Sequence, residues 1–262
     1  MKFVVCTSLL SILIACNSNP LGDTKISSCD HSPNFKTGLP ATCQVNFKNT
    51  EGLKVWLDSS DAGTILSSNQ TDVDRWSDKS GGSVNFISLT DKASLVKKQV
   101  NGRTVIKWST DSTAYTSSAL TEFNANADFV LAVAFKTAPS GSDKLKIDNG
   151  TGNGFEALVT TQGFLQIALS SDEPLKSSTL LPDERVSKLV LVYDGSEKEL
   201  YIYNDSELLE VLEIEESSSP WTELNLSGSI GLELYEVLIY NSFKSSFKVS
   251  EIQTYLNNKW GF

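Results

Sequence analysis

The sequence predicts an all-β fold, two antiparallel sheets packed as a sandwich and closed by a short C-terminal helix. Three observations carry this. From Gly52 onward, apolar runs of strand length are separated by clusters of turn residues. One run, 129–135 (FVLAVAF), is apolar at every position, as a strand covered on both faces would be. Near the end the period changes: Ile252, Tyr255, Leu256 and Trp260 recur at spacings of three and four, which places them on one helical face.

Each element follows from local chemistry. Residues 155–170 read as a hairpin, with Thr161, Gln162 and Gly163 at the turn and Phe164, Ile167 and Leu169 in the returning strand. The runs 189–193 (LVLVY), 200–203 (LYIY) and 208–212 are joined by Asp194-Gly195 and Asn204-Asp205. Those pairs favour the positive backbone dihedrals of tight hairpins, so the segment reads as a three-stranded meander. Residues 229–240 form a long last strand, with Gly228 and Gly231 marking a turn or bulge near its start. Ser250 followed by Gln253 fits a capping box at the start of the terminal helix. Segments 59–74, 138–143 and 217–219 are rich in Ser, Asp, Gly and Asn and read as surface loops. No repeat of fixed period and no long linker divides the region after Gly52.

The first residues read differently. After Lys2 an apolar stretch through Val4, Val5, Leu9, Leu10 and Ile12 ends in Leu13, Ile14, Ala15 and Cys16, and Asn17 to Pro20 break it. The run is shorter than the about 20 apolar residues a bilayer-spanning helix needs. Charged start, apolar core, Leu, small residue and Cys in this order resemble a bacterial lipoprotein signal peptide, with residues 1–15 as leader. The resemblance implies that Cys16 becomes the acylated first residue and holds the chain on a membrane. Asn17 is not the Asp that retains some lipoproteins in the inner membrane, so the expectation is the cell envelope, with the outer membrane favoured.

Cys6 leaves with the leader and Cys16 takes lipid, so Cys29 and Cys43 remain as a disulfide pair in a tether, 16–51. A metal site built on them with His31, the single histidine, is the competing reading, and the fourteen-residue spacing (43 − 29) disfavours it. Lys plus Arg total 22 against 32 Asp plus Glu, a net charge of −10. An acidic surface repels phosphate backbones, which excludes nucleic acid as the expected partner.

Within 52–262, the segments 53–61 (LKVWLDSSD), 75–82 (RWSDKSGG), 193–209 (YDGSEKELYIYNDSELL), Gly231 with 236–241 (EVLIYN), and 255–262 (YLNNKWGF) resemble the bacterial branch of concanavalin A-like lectin/glucanase domains, often called laminin G-like. The resemblance implies a jelly roll of two curved antiparallel sheets, consistent with the strand pattern. Members of that group bind glycans, bind proteins or cleave polysaccharides.

The glucanases of the group use a Glu-x-Asp-x-x-Glu pattern on one strand, and this chain has no such run. Glu213 with Glu215 and Glu233 with Glu236 come nearest, and solvated strand faces account for both. Calcium is the one cofactor to consider, because hard cations want oxygen ligands: Asp58 with Asp61, or Asp148, Asn149 and Asn153, would supply them. Turn chemistry accounts for the same residues and is the stronger reading. For a sugar ligand, Trp221 is the leading candidate and Tyr115 the second, since aromatic faces meet the apolar faces of pyranose rings. Trp56, Trp108 and Trp260 fall in apolar patterns and belong to the core, and Trp76 supports the 75–82 turn. The expected function is a non-catalytic envelope lipoprotein that binds a glycan or another cell-surface ligand. A protein-interaction module of an envelope assembly and a divergent polysaccharide hydrolase are the alternatives.

Overall fold

The computed structural model describes residues 52–69, 72–88, 93–100, 102–109, 113–117, 120, 128–137, 144–149, 156–168, 175–214, 223–242 and 249–260. In chain order the strands are β1 (Leu53–Asp58), β2 (Ile65–Leu66), β3 (Asp72–Val73), β4 (Arg75–Ser77), β5 (Asn85–Ser88), β6 (Ala93–Val100), β7 (Arg103–Lys107), β8 (Thr113–Ser117) and β9 (Phe129–Lys136). They continue as β10 (Leu145–Asp148), β11 (Glu156–Val159), β12 (Phe164–Ala168), β13 (Leu175–Leu180), β14 (Val186–Asp194), β15 (Glu199–Asn204), β16 (Glu207–Glu213), β17 (Asn225–Gly228) and β18 (Glu233–Tyr240). Helix α1 spans Val249–Trp260.

The predicted sandwich is present, with every pairing antiparallel. The first sheet runs β16-β15-β14-β9-β18-β7-β6-β3, and β1 shares one edge of β18 with β7. The two fit end to end because β7 pairs with Glu233 and Leu234, a register shift follows, and β1 pairs from Glu236 to Tyr240. The second sheet runs β13-β12-β11-β10-β17-β8-β5-β4-β2.

At its centre the first sheet is covered on both faces, which explains the unbroken apolar strands there. In β9, Phe129, Leu131, Val133 and Phe135 face the second sheet, while Val130, Ala132 and Ala134 lie in a separate cluster with Ile252, Tyr255, Leu256 and Trp260 of α1. β14 divides the same way, with Leu189, Leu191 and Tyr193 between the sheets and Val190 and Val192 on the helix side. The helical face is the predicted one. Ser250, however, is the second residue of the helix and Gln253 is buried against the sheet, so these two do not form the expected cap.

The hairpin and the meander form as expected: β11 pairs with β12, and β14, β15 and β16 pair in sequence. At the β15–β16 turn Asp205 and Ser206 both have positive φ, the signature of a type I′ turn. The last strand starts later than predicted, at Glu233, after a turn in which Gly231 takes φ +91°. The stretch 59–74 holds more order than a loop, with a 3-10 turn over Ala62–Thr64 capped by the Asp61 side chain, then β2 and β3. The segments 138–143 and 217–219 lie outside the described residues, as do Cys16, Cys29 and Cys43. Among the described residues, no helix is long and apolar enough to cross a membrane.

Candidate functional site

While α1 packs on the central strands of the first sheet's outer face, the outer face of the second carries polar side chains at alternate positions. In β10, Leu145 and Ile147 enter the core and Lys146 and Asp148 point outward; in β11, Ala157 and Val159 enter and Glu156 and Leu158 point outward. In β17, Leu226 is buried between outward Asn225 and Ser227, and in β8 Thr116 is outward between buried Tyr115 and Ser117.

Register aligns these residues into one row across neighbouring strands. Thr116 lies opposite Asn225, Asn225 opposite Asp148, and Asp148 opposite Glu156. The Thr116 hydroxyl donates to Asn225 Oδ1. Asn225 Nδ2 donates to Asp148 Oδ1 at 3.0 Å. Lys146 Nζ lies 3.4 Å from Asp148 Oδ2 and 2.9 Å from Glu156 Oε2. On the far side of Thr116 the row continues through Ile87, Arg75 and Leu66, and Ile87 and Leu66 are each 51 % exposed.

The ladder binds its own cation. Burial alone would lower the pKa of Lys146, but the hydrogen bond to Glu156 and the charges of Asp148 and Glu156 outweigh it and hold the ammonium above the ordinary lysine value. The Thr116 hydroxyl, one amide N–H of Asn225 and the Lys146 ammonium each donate within the row. Chemically the face presents mixed donors and acceptors in a line, with an apolar shoulder at Ile87.

Sequence reasoning named one member of this row, Asp148, and missed Thr116, Asn225, Lys146 and Glu156. The period-2 alternation in 145–148 and 156–159 was a readable signal for outward orientation. The meeting of Thr116 with Asn225, 109 residues apart, and of Asn225 with Asp148, 77 apart, was not readable.

The other candidates sit elsewhere. Tyr115 is a core residue, 1 % exposed, with its hydroxyl donating to the Val73 carbonyl at 2.6 Å and its ring edge-on to Trp108. It offers no face to a ligand. Trp221 and Asn153 lie outside the described residues. Asp58 and Asp61 are brought together, but around an ammonium: Lys79 Nζ is 2.8 Å from Asp58 and 2.9 Å from Asp61. Asp58, 4 % exposed, also contacts Lys259 Nζ at 2.7 Å. A lysine ammonium thus lies between the two carboxylates that were a candidate calcium pair, beside the stronger turn reading. Asp148 faces outward and Asn149 is buried, so these neighbours do not converge on one ion. Among the described residues, no group of three or more His, Cys, Asp or Glu side chains is placed to hold a metal.

The 75–82 segment docks onto β1. Asp78 Oδ1 accepts from the Trp56 amide at 2.7 Å, Lys79 N donates to the Trp56 carbonyl at 2.8 Å, and Ser80 Oγ donates to the Lys54 carbonyl at 3.0 Å. Glu233 and Glu236 are buried, contrary to the solvated positions expected for them. Glu236 accepts from Trp56 Nε1 at 2.7 Å, Trp260 Nε1 at 2.6 Å and the Tyr255 hydroxyl at 2.5 Å, with Lys259 Nζ 3.0 Å away. This constellation of carboxylates clamps α1 to β1 and β18 and is structural.

No protein-family profile and no curated protein sequence matches this chain. Solved structures share its fold. The botulinum neurotoxin serotype D binding domain superposes with a TM-score of 0.59 at 11 % identity, covering 78 % of this chain and 51 % of that one. The botulinum neurotoxin type G receptor binding domain gives 0.55 at 11 % identity, covering 80 % and 54 %. Trypanosoma rangeli sialidase, in complex with 2,3-difluorosialic acid as a covalent intermediate, gives 0.52 at 14 % identity, covering 79 % and 33 %. The chain therefore spans about half the length of the neurotoxin binding domains and a third of the sialidase. At these identities the likeness is one of fold, a two-sheet antiparallel β-sandwich.

Proposed function

We propose that this chain is a lipid-anchored envelope protein whose sandwich binds carbohydrate, without cleaving it, through the outer face of the second sheet. The observation that carries the reading is the outward row from Thr116 to Glu156, a line of half-buried polar groups held in fixed geometry on rigid strands beside exposed Ile87. Two structural neighbours whose names specify a receptor-binding domain and a sialidase with a bound sialic acid analogue share the fold, and this supports the ligand class. Glycoside hydrolysis needs one carboxyl of a pair to carry a proton to the leaving oxygen. Here Asp148 and Glu156 both lean on Lys146, an arrangement suited to accepting hydrogen bonds. The lipid anchor rests on the Leu13-Ile14-Ala15-Cys16 sequence and is tested by fatty-acid labelling that Cys16→Ser abolishes.

The binding test is a glycan array probed with the chain carrying Cys16→Ser, followed by Asn225→Ala. The expected result is saturable binding that the substitution weakens at least tenfold while the thermal midpoint stays within a few degrees. A silent array would overturn the proposal.

A second reading, a protein-interaction module, has its own observation. On the outer face of the first sheet, Val211 pairs with Tyr201 and Leu208 with Tyr203, and Leu208 and Val211 are among the exposed large apolar side chains. Co-purification of a single protein partner, lost on Val211→Asp, together with a silent array, would favour it.

A further inference from the structure

We infer that the outer face of β15 and β16, beside α1, is a docking shelf for a basic amphipathic helix of a partner protein. This is independent of the carbohydrate reading, and it gives the partner chemistry for the face on which the protein-interaction reading rests.

Alternation places the shelf. In β15, Leu200 and Ile202 enter the core between the sheets, so Glu199, Tyr201 and Tyr203 lie on the outer face. Register sets Glu213, Val211 and Leu208 of β16 opposite them, row by row. Helix α1 covers the neighbouring strand β14 at Val190 and Val192 and borders β15, where Asn257 Nδ2 donates to Ser206 Oγ in the β15–β16 turn at 2.7 Å. Tyr201 and Tyr203 are half-buried against the cluster under α1, whereas Leu208 and Val211 are 48 % and 42 % exposed. Two apolar rows thus lie alongside a helix with their outer halves uncovered. The two strands span about 10 Å at ~4.8 Å each, the diameter of a helix with its side chains. The seven residues of β16 run about 23 Å at ~3.3 Å each, which about 15 helical residues match.

The apolar rows end in an acidic one. Asp194 of β14 lies opposite Glu199, and Glu199 opposite Glu213. Like charges placed directly across a sheet destabilise it. Among the described residues, no lysine or arginine forms an ion pair with any of the three. Glu199 accepts from the Tyr201 hydroxyl, a neutral donor that leaves the carboxylate charge in place. Exposed Glu197 in the adjoining turn makes four carboxylates against one ammonium, Lys198. At the far end of the shelf Lys188 and Arg185 both pair with Asp205, so the acidity is concentrated at one end. A helix with leucine-type residues on one face and lysine or arginine over these acids fits both features. An anionic membrane surface does not, because the same acids repel it.

The test titrates the chain carrying Cys16→Ser with three labelled helical peptides of about 15 residues, read by fluorescence anisotropy. One carries leucine on one face and lysine on the other, the second leucine with glutamate, and the third alanine with lysine. The leucine–lysine peptide should bind about tenfold or more tightly than either control. Leu208→Ser/Val211→Ser changes two exposed positions and should weaken it about tenfold or more, with an unchanged thermal midpoint confirming that the variant folds. Glu199→Gln/Glu213→Gln should weaken it about threefold or more, whereas Glu184→Gln/Glu223→Gln, the same charge change away from the shelf, should leave it within about twofold. Equal affinity for the leucine–lysine and leucine–glutamate peptides, a shelf variant that keeps full affinity, or an equal loss in the Glu184/Glu223 variant would each overturn the inference. So would a dimer, seen by sedimentation equilibrium, that Leu208→Ser/Val211→Ser dissolves, since the shelf would then belong to a second copy of this chain. None of these outcomes bears on the glycan array, so this inference and the carbohydrate reading fail separately.

Discussion

Glu236 is 0 % exposed, and four donors converge on its carboxyl group from two elements: Trp56 in β1, and Tyr255, Lys259 and Trp260 in α1. Burial raises its pKa, and Lys259 pulls the other way. Lys259 also pairs with Asp58, so one ammonium compensates two buried acids. Removing one partner of a buried pair leaves a charge without compensation, which typically destabilises by about 3–5 kcal/mol. Lys259→Met is expected to fall in that range by urea denaturation followed through tryptophan fluorescence. A loss below about 1 kcal/mol would show that the pairs do not hold α1. None of the three acids was legible as buried: Glu233 and Glu236 read as solvated strand faces and Asp58 as a turn residue. Only the convergence of β1, β18 and α1 gives them partners, and that is a tertiary fact.

Elements whose signals are local were legible. The β11–β12 hairpin followed from Thr161, Gln162 and Gly163, and the structure shows why the glycine is needed: its φ is +86°, and an added Cβ would lie 2.9 Å from the Leu181 carbonyl oxygen. A side chain in the left-handed region costs roughly 1–2 kcal/mol before any clash is counted. Gly163→Ala is therefore expected to destabilise by about 2 kcal/mol, which for a chain of this size lowers the melting midpoint by roughly 4–8 °C. An unchanged calorimetric midpoint would show that the turn relaxes freely. Helix α1 was legible by its buried stripe but not at its start, because Ser250 and Gln253 mimic a cap while Val249 already lies in the helix. In the segment 59–74 polar composition read as loop, yet β2 and β3 form there because Leu66 pairs with Arg75 and Val73 with Ala93. Neighbouring strands supplied the order that local propensity did not.

At the scale of the molecule the two sheets differ in their outer faces: α1 packs on one, and among the described residues no helix packs on the other. The sandwich could be inferred from alternation and from the doubly apolar run 129–135, whereas the binding row could not, since β8, β17, β10 and β11 come from separated parts of the chain. The helix itself has a pH-dependent fastening. Burial alone would raise the Asp58 pKa, but the charge of Lys259 and hydrogen bonds from Lys259, Lys79 and Ser60 outweigh it and hold the carboxyl at about 2, against an ordinary value of 3.8. A depressed folded-state pKa contributes stability that is present above the unfolded value and lost as pH falls through the folded one. For Asp58 this amounts to about 2 kcal/mol, at 1.36 kcal/mol per pH unit, disappearing between about pH 4 and pH 2. Glu236 acts in the opposite sense, because its raised pKa lets the folded state take up a proton at higher pH than the unfolded chain, so mild acidification first relieves a burial cost. Stability is therefore expected to hold or rise slightly as pH drops toward 4 and to fall below it. Urea midpoints measured from pH 6 to pH 2 should show this profile, and Asp58→Asn, less stable at neutral pH, should lose the part of the decline that falls between pH 4 and 2. A variant whose stability declines in parallel with the wild type through that window would show that the Asp58–Lys259 contact does not govern how α1 is held.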